Sequence, residues 1–180
     1  MNSHDFSEGL AKVGISSNDL APKDGFIDQQ GKIVIAPDFD LAGDFHEGLA
    51  GFGVGDWERM GSFKGKFGFI NKRGKVAIKP TFDGVQEFSE KLAPVKIGAN
   101  WGYVDHQGAM VIDPKFDEVR PFQEGLAAVS SHGLFGYIDT KGRFVIEPKF
   151  DRCTSFSEGR AVVSLPDQAK PVESVPLPPR

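Results

Sequence analysis

The sequence predicts an all-β protein built from short antiparallel meanders repeated in tandem. Three observations carry this. The 180 residues include 22 Gly, 12 Pro and 16 Phe, a mixture of turn formers and aromatics that suits short strands. One segment recurs four times without gaps, opening at Gly25, Gly68, Gly102 and Gly136, so the spacings are 43, 34 and 34. No window of about 12 residues shows a helical stripe free of Gly and Pro. One meander cannot bury its aromatic face alone, so stacked neighbours must complete the core.

The third unit justifies the elements in order. Trp101-Gly102-Tyr103-Val104 alternates and reads as a strand. Asp105-His106-Gln107-Gly108 fits a tight hairpin turn with glycine at positive φ, and the same pattern stands at 28–31, 71–74 and 139–142. Met110-Val111-Ile112 returns as the second strand, and Pro114, like Pro37, Pro80 and Pro148, is expected to end it. A strand-interior glycine such as Gly102 admits either the close approach of another backbone or a local bulge. Phe116-Asp117 and Phe122 flank a short extended or turn segment. Glu124-Gly125 turns the chain, and Leu126-Ala127-Ala128-Val129 leads into the next unit. Each unit is therefore a meander of three or four strands. Its repeated phases make Tyr103, Phe116, Phe122 and Leu126 candidate core residues.

The resulting domain plan is a repeat domain over 1–164, with a half repeat at 5–14 and full repeats starting at 25, 68, 102 and 136. Residues 165–180 hold five prolines, leave the repeat, and read as a disordered or polyproline II tail. The leading strand Gly-Leu-Ala-x-Val occurs five times in degenerate form, whereas the rest of the unit occurs four times. That surplus fits an open curved array with a capped last unit; a small propeller-like ring is the alternative.

The motif W/F-G-Y/F-[IV]-D-x-x-G-[KR]-x-[VA]-I-x-P-x-F-D followed by F-x-E-G-L-A-x-V resembles the WG-type (KWG) β-repeat family of bacterial proteins. The resemblance spans roughly residues 5 to 164 and implies an interaction scaffold. Asp24, Asn71, Lys91 and Arg160 depart from the pattern.

Composition narrows the function classes. With 21 Lys+Arg against 25 Asp+Glu the net charge is -4, which argues against nucleic-acid coating or polybasic membrane binding. No apolar run approaches the ~18 residues of a membrane helix. The start Met1-Asn2-Ser3-His4-Asp5 has no basic and then apolar segment of the signal-peptide kind, and a single cysteine, Cys153, cannot form an intrachain disulfide. A cytoplasmic protein is expected. Neither a P-loop nor H-E-x-x-H is present. The four histidines fall at different phases of the repeat, and Cys153 reads as a small buried thiol. The acids recurring at one phase, such as Glu8, Glu47, Glu90, Glu124 and Glu158, read as turn or cap residues. No catalytic residue, metal or cofactor is expected.

What breaks the repeat is the best functional clue. Val54 to Ser62 lengthens one hairpin and carries Trp57. From Lys64 to Lys79 stand six basic residues and no acid, arranged as one or two patches. Trp, Arg and Met are enriched at contact hot spots. Trp57, Arg59, Met60, Lys64 and Lys66 are therefore the candidate binding residues, for a protein partner with an acidic surface. The alternative for Trp57 is a solvated hairpin whose ring folds back on the array. The expected function is a non-enzymatic protein-binding scaffold; a structural spacer or oligomerisation unit is the alternative, with an immunity or adaptor role among the settings such a module serves.

Overall fold

The computed structural model describes residues 6–15, 22–58, 62–166 and 173–178. Every regular element among them is a β-strand. The chain divides into two compact units, Met1–Glu87 and Phe88–Arg180, so the boundary falls inside the stretch that the repeat pattern alone groups as one domain.

The first unit contains β1 (Leu10–Ile15), β2 (Lys23–Asp28), β3 (Ile33–Phe39), β4 (Leu41–His46), β5 (Leu49–Trp57), β6 (Phe63–Asn71), β7 (Val76–Phe82) and the short β8 (Gly84–Val85). It holds an antiparallel sheet β1-β2-β3 and a second sheet β4-β5-β6-β7. The second unit contains β9 (Ala93–Ile97), β10 (Asn100–Val104), β11 (Met110–Phe116), β12 (Glu118–Val119), β13 (Leu126–Ser131), β14 (Leu134–Asp139), β15 (Phe144–Phe150), β16 (Arg152–Cys153), β17 (Arg160–Ser164) and β18 (Glu173–Pro176). There β9, β10 and β11 pair in sequence, followed by the sheets β12-β13-β14-β15 and β16-β17-β18. These are open sheets; none of them closes on itself.

Two hairpin turns alternate through the array. At each D/N-x-x-G, the Asp or Asn side chain accepts the N–H groups two and four residues on, as Asp105 does from Gln107 and Ala109, each at 2.9 Å. At each F-x-E-G the flanking residues exchange both backbone hydrogen bonds, as Gln123 and Leu126 do, while Glu124 and Gly125 both have positive φ, 56° and 83°. This is the two-residue turn that matches strand twist and normally prefers Asn-Gly. Glutamate is used because its carboxylate reaches the following repeat. Glu90 and Glu124 each accept an N–H at 2.9 Å, from Gly125 and Gly159, and Glu8 accepts that of Gly48 at 3.0 Å. These charge-assisted bonds offset the left-handed backbone. Lys72 adds an ion pair to Glu8 at 2.9 Å. Although partial burial works against ionisation, this ion pair and the Gly48 N–H hold the Glu8 carboxyl below its usual range.

The second residue of this turn is Lys91 in one copy, at φ 71°. A non-glycine residue there costs about 1–2 kcal/mol, part of which the entropy of a glycine replacement returns. Lys91→Gly should raise stability by about 1 kcal/mol, a melting shift of roughly 2–4 °C for a chain of this size. Thermal denaturation measures it; an unchanged or lower midpoint contradicts the turn assignment.

The prolines do not end their strands. Pro37, Pro80, Pro114 and Pro148 lie inside β3, β7, β11 and β15. Their missing N–H is accommodated by a bulge: Trp101 pairs with Phe116 and Tyr103 with Ile112, so the β11 segment around Pro114 arches across Gly102. A Cβ on Gly102 would stand 2.4 Å from the Ile112 carbonyl oxygen and 2.8 Å from the Pro114 nitrogen. Both readings of this glycine hold together, because the bulge sits on the partner strand and the glycine admits it.

Burial follows the repeat phase. Tyr103, Phe116, Phe122 and Leu126 are 0–7% exposed. In the first unit Phe26, Phe45, Phe52 and Ile70 form a core with Ile35, Ala42 and Ala50. In the second, Tyr103 and Phe122 pack with Ile112, Phe116 and Val129, and Tyr137, Phe150 and Phe156 with Cys153 and Val163. Two tyrosine hydroxyls span adjacent sheets, Tyr103 donating to the Arg120 carbonyl and Tyr137 to that of Thr154, both at 2.8 Å. Burial pushes both phenols well above the usual tyrosine range.

Residues 173–178 correct the expected disordered or polyproline II tail, while 167–172 and 179–180 lie outside the described residues. Residues 173–176 form β18, which pairs antiparallel with β17, Ala161 opposite Val175, and Leu177 donates its N–H to the Gly159 carbonyl at 2.7 Å. The surplus leading strand thus has a partner. Glu173 stands where the other copies have glycine, and no proline-bulged strand follows it among the described residues.

Candidate functional site

The long hairpin β5–β6 sets the first unit apart. Strands β5 and β6 pair without interruption from Leu49 opposite Asn71 to Trp57 opposite Phe63. The corresponding hairpins β9–β10 and β13–β14 close at Ile97–Asn100 and Ser131–Leu134. The insertion therefore extends an existing hairpin. Gly55 and Gly65 face each other across the hairpin with no room for a side chain on either: a Cβ on Gly55 would lie 2.2 Å from the Lys64 carbonyl oxygen, and one on Gly65 2.3 Å from that of Val54. At the tip, Glu58 donates its N–H to the Ser62 carbonyl at 2.8 Å.

An aromatic ladder runs along one face of this hairpin. Trp57 meets Phe63 edge to face at 5.4 Å between ring centroids, and Phe63 meets Phe67 at the same distance. Trp57 Nε1 donates to the Asp40 carbonyl at 3.2 Å, so the indole does fold back, yet it stays 46% exposed. A half-exposed indole fixed at its polar edge presents a flat apolar surface with little rotamer freedom left to lose, as contact anchors do. Val54 is exposed on the opposite face, the one that carries Lys64 and Lys66.

The basic residues divide. Lys66 pairs with Asp83 at 2.6 Å, and Lys72 is held by Glu8. Lys64 is exposed and lies opposite Asp56 across the hairpin. The positive stretch read from sequence is thus partly neutralised by acids from elsewhere in the fold. Lys23 likewise pairs with Asp40, and with the Gly55 N–H it holds the Asp40 carboxyl below its usual range. Of the five predicted site residues, the structure places Trp57, Lys64 and Lys66 on one hairpin; Arg59 and Met60 lie outside the described residues.

At the base of the hairpin is a cleft of about 310 Å³ that sequence reasoning missed. Phe52, Gly53 and Phe67 line it, with Asp44, His46 and Glu87 at the rim. The signal for it was present: Asp44 and Glu87 are acids outside the repeat template, each directly preceding a templated phenylalanine. The recurring acids, by contrast, occupy the turn and cap positions expected of them. Among the described residues no three His, Cys, Asp or Glu side chains gather as a metal site, and no helix is long and apolar enough to cross a membrane.

A profile of the WG containing repeat matches residues 25–56, 67–101, 101–134 and 135–165. The chain belongs to the WG-containing repeat family. The four matches begin within one residue of the repeat glycines Gly25, Gly68, Gly102 and Gly136, and the unmatched gap between the first two, residues 57–66, takes in the insertion from Trp57 to Ser62. No curated protein and no solved structure matches the chain. In WG-repeat terms the tryptophan-glycine pair has a mechanical meaning here: the glycine admits the proline bulge and the preceding aromatic, Phe67, Trp101 or Phe135, stands half-buried beside it.

Proposed function

We propose that this WG-repeat chain is a non-enzymatic protein-binding scaffold whose contact surface is the β5–β6 hairpin. One observation supports the reading above the rest: a half-exposed Trp57, pinned by its indole N–H, heads an aromatic ladder on a hairpin whose paired strands outgrow the repeat. Rigid scaffolds characteristically carry binding groups on such projections. The partner is another protein, with Trp57 as anchor, Arg59 and Met60 at the tip, and Lys64 and Lys66 on the flank. Acidic groups on that partner would meet Lys64 first, because Lys66 is already engaged. Association should therefore weaken only modestly with salt. A cytoplasmic setting suits the single thiol, which is buried.

The test uses the repeat's own short turn. Residues 55–65 are replaced by the His-Gly pair of residues 132–133, which joins Val54 to Lys66 in the register of the shorter hairpins. The variant should fold with an unchanged β spectrum, and Trp57→Ala in the full chain should weaken capture of the same partner from native lysate by about tenfold or more, the 1.4 kcal/mol or greater expected of a hot-spot residue. A folded turn variant that captures the same partner with unchanged affinity contradicts the proposal.

A further inference from the structure

The second unit has a cleft of its own, of about 340 Å³, between β12–β14 and β16–β17. Phe135 takes the place in it that Phe67 holds in the first unit's cleft, and Cys153 that of Val85. The charge is reversed. Where the first cleft carries Asp44 and Glu87, this one carries Arg120 and Arg152, both exposed, and no acid is among its lining residues. Arg152 lies directly opposite Ser164 across the β16–β17 pair, so their side chains share a face. The Ser164 hydroxyl is buried without a hydrogen-bond partner. A buried hydroxyl left in that condition is a standing cost unless something completes it. The wall is otherwise apolar, Phe135 half-buried and Val162 44% exposed. Glu118 is near enough to act on the Cys153 thiol, and its repulsion of an anionic ligand is what the two arginines have to outweigh.

From the two arginines, the orphan hydroxyl and the apolar wall together, we infer that this cleft is a second binding site, for a small organic carboxylate carrying an apolar body. The carboxylate sits between Arg120 and Arg152 and completes Ser164, while the body lies on Phe135 and Val162. Such a volume and lining, mostly apolar with a few convergent polar groups, are those of small-molecule sites, and guanidinium groups match carboxylate geometry.

Titration of the isotope-labelled full chain, followed by amide shifts, tests this with 4-phenylbutyrate as probe, 4-phenylbutan-1-ol as its neutral counterpart and inorganic phosphate as a bare anion. The acid should saturate at about millimolar concentration, as expected for a ligand of this size. Its shifts should be confined to the strands around Phe135, Arg152 and Ser164, with the alcohol and phosphate each at least about tenfold weaker. Arg152→Gln, a surface change, should weaken the acid by about tenfold. Ser164→Ala should weaken it too while leaving the melting temperature of the free protein unchanged or higher. An alcohol or phosphate that binds as well as the acid, an absence of saturable shifts, or undiminished binding by Arg152→Gln overturns the inference.

Discussion

Phe122→Ala is expected to unfold the chain or to cost about 3–5 kcal/mol, a large share of the ~5–15 kcal/mol that holds a domain together. Phe122 is fully buried, its ring lies 4.9 Å from that of Tyr103, and its carbonyl accepts the Ser89 hydroxyl at 2.6 Å. Truncation leaves a cavity in the core that Phe122 forms with Tyr103, Ile112, Phe116 and Val129, and a packed core relaxes only in part to fill it. The loss should spread beyond one repeat, because Tyr103 also holds the Arg120 carbonyl and each repeat in the unit leans on its neighbour. Thermal denaturation of the variant measures this. A midpoint within a degree or two of the parent would mean the residue does not seal the core it lines.

Gly102→Ala should be nearly as damaging for a different reason. The added methyl would meet main-chain atoms of Ile112, Asp113 and Pro114, all within 2.9 Å. Backbone cannot swing aside as a flexible side chain can, so the bulge must shift or the strands part. Forced overpacking of this kind costs about 1–3 kcal/mol and sometimes more, and the arch over Gly102 puts it at the upper end. Gly136→Ala should behave alike, since its Cβ would lie 2.5 Å from the Ile146 carbonyl oxygen. Alanine at exposed Gly133, where no atom lies within 4 Å of a Cβ, is the control: it meets only the strain of φ 80°. Equal melting temperatures for Gly102→Ala and the parent would refute the bulge as the glycine's reason.

These two residues also mark what could be read in advance. Phe122 was legible because its phase recurs, and a recurring aromatic in a meander has nowhere to go but the core. The D/N-x-x-G turns were legible because turn chemistry is local. The prolines were misread because a local rule, that proline ends a strand, ignores the partner strand that supplies a glycine beneath the bulge. Strand β18 was missed because Ser174 and Val175 carry no aromatic-glycine signature; its pairing comes from the unfilled edge of β17, which only the assembled sheet reveals. In the candidate site, Trp57 was legible as a break in the period. The neutralisation of Lys66 by Asp83 and of Lys72 by Glu8 was not, since 17 and 64 residues separate the partners. The clefts lie between sheets and are invisible to any linear reading, although the untemplated Asp44, Glu87, Arg120 and Arg152 were their trace.

The central claim, that the β5–β6 hairpin is the binding surface, is tested most directly by moving it. Three chains are compared for affinity toward the same captured partner: the parent, the variant with residues 55–65 replaced by the His-Gly turn, and that variant with residues 55–65 grafted in place of His132-Gly133. Binding should be present in the parent, absent in the trimmed chain and recovered in the graft. A trimmed chain that is folded and binds the partner as tightly as the parent would contradict it.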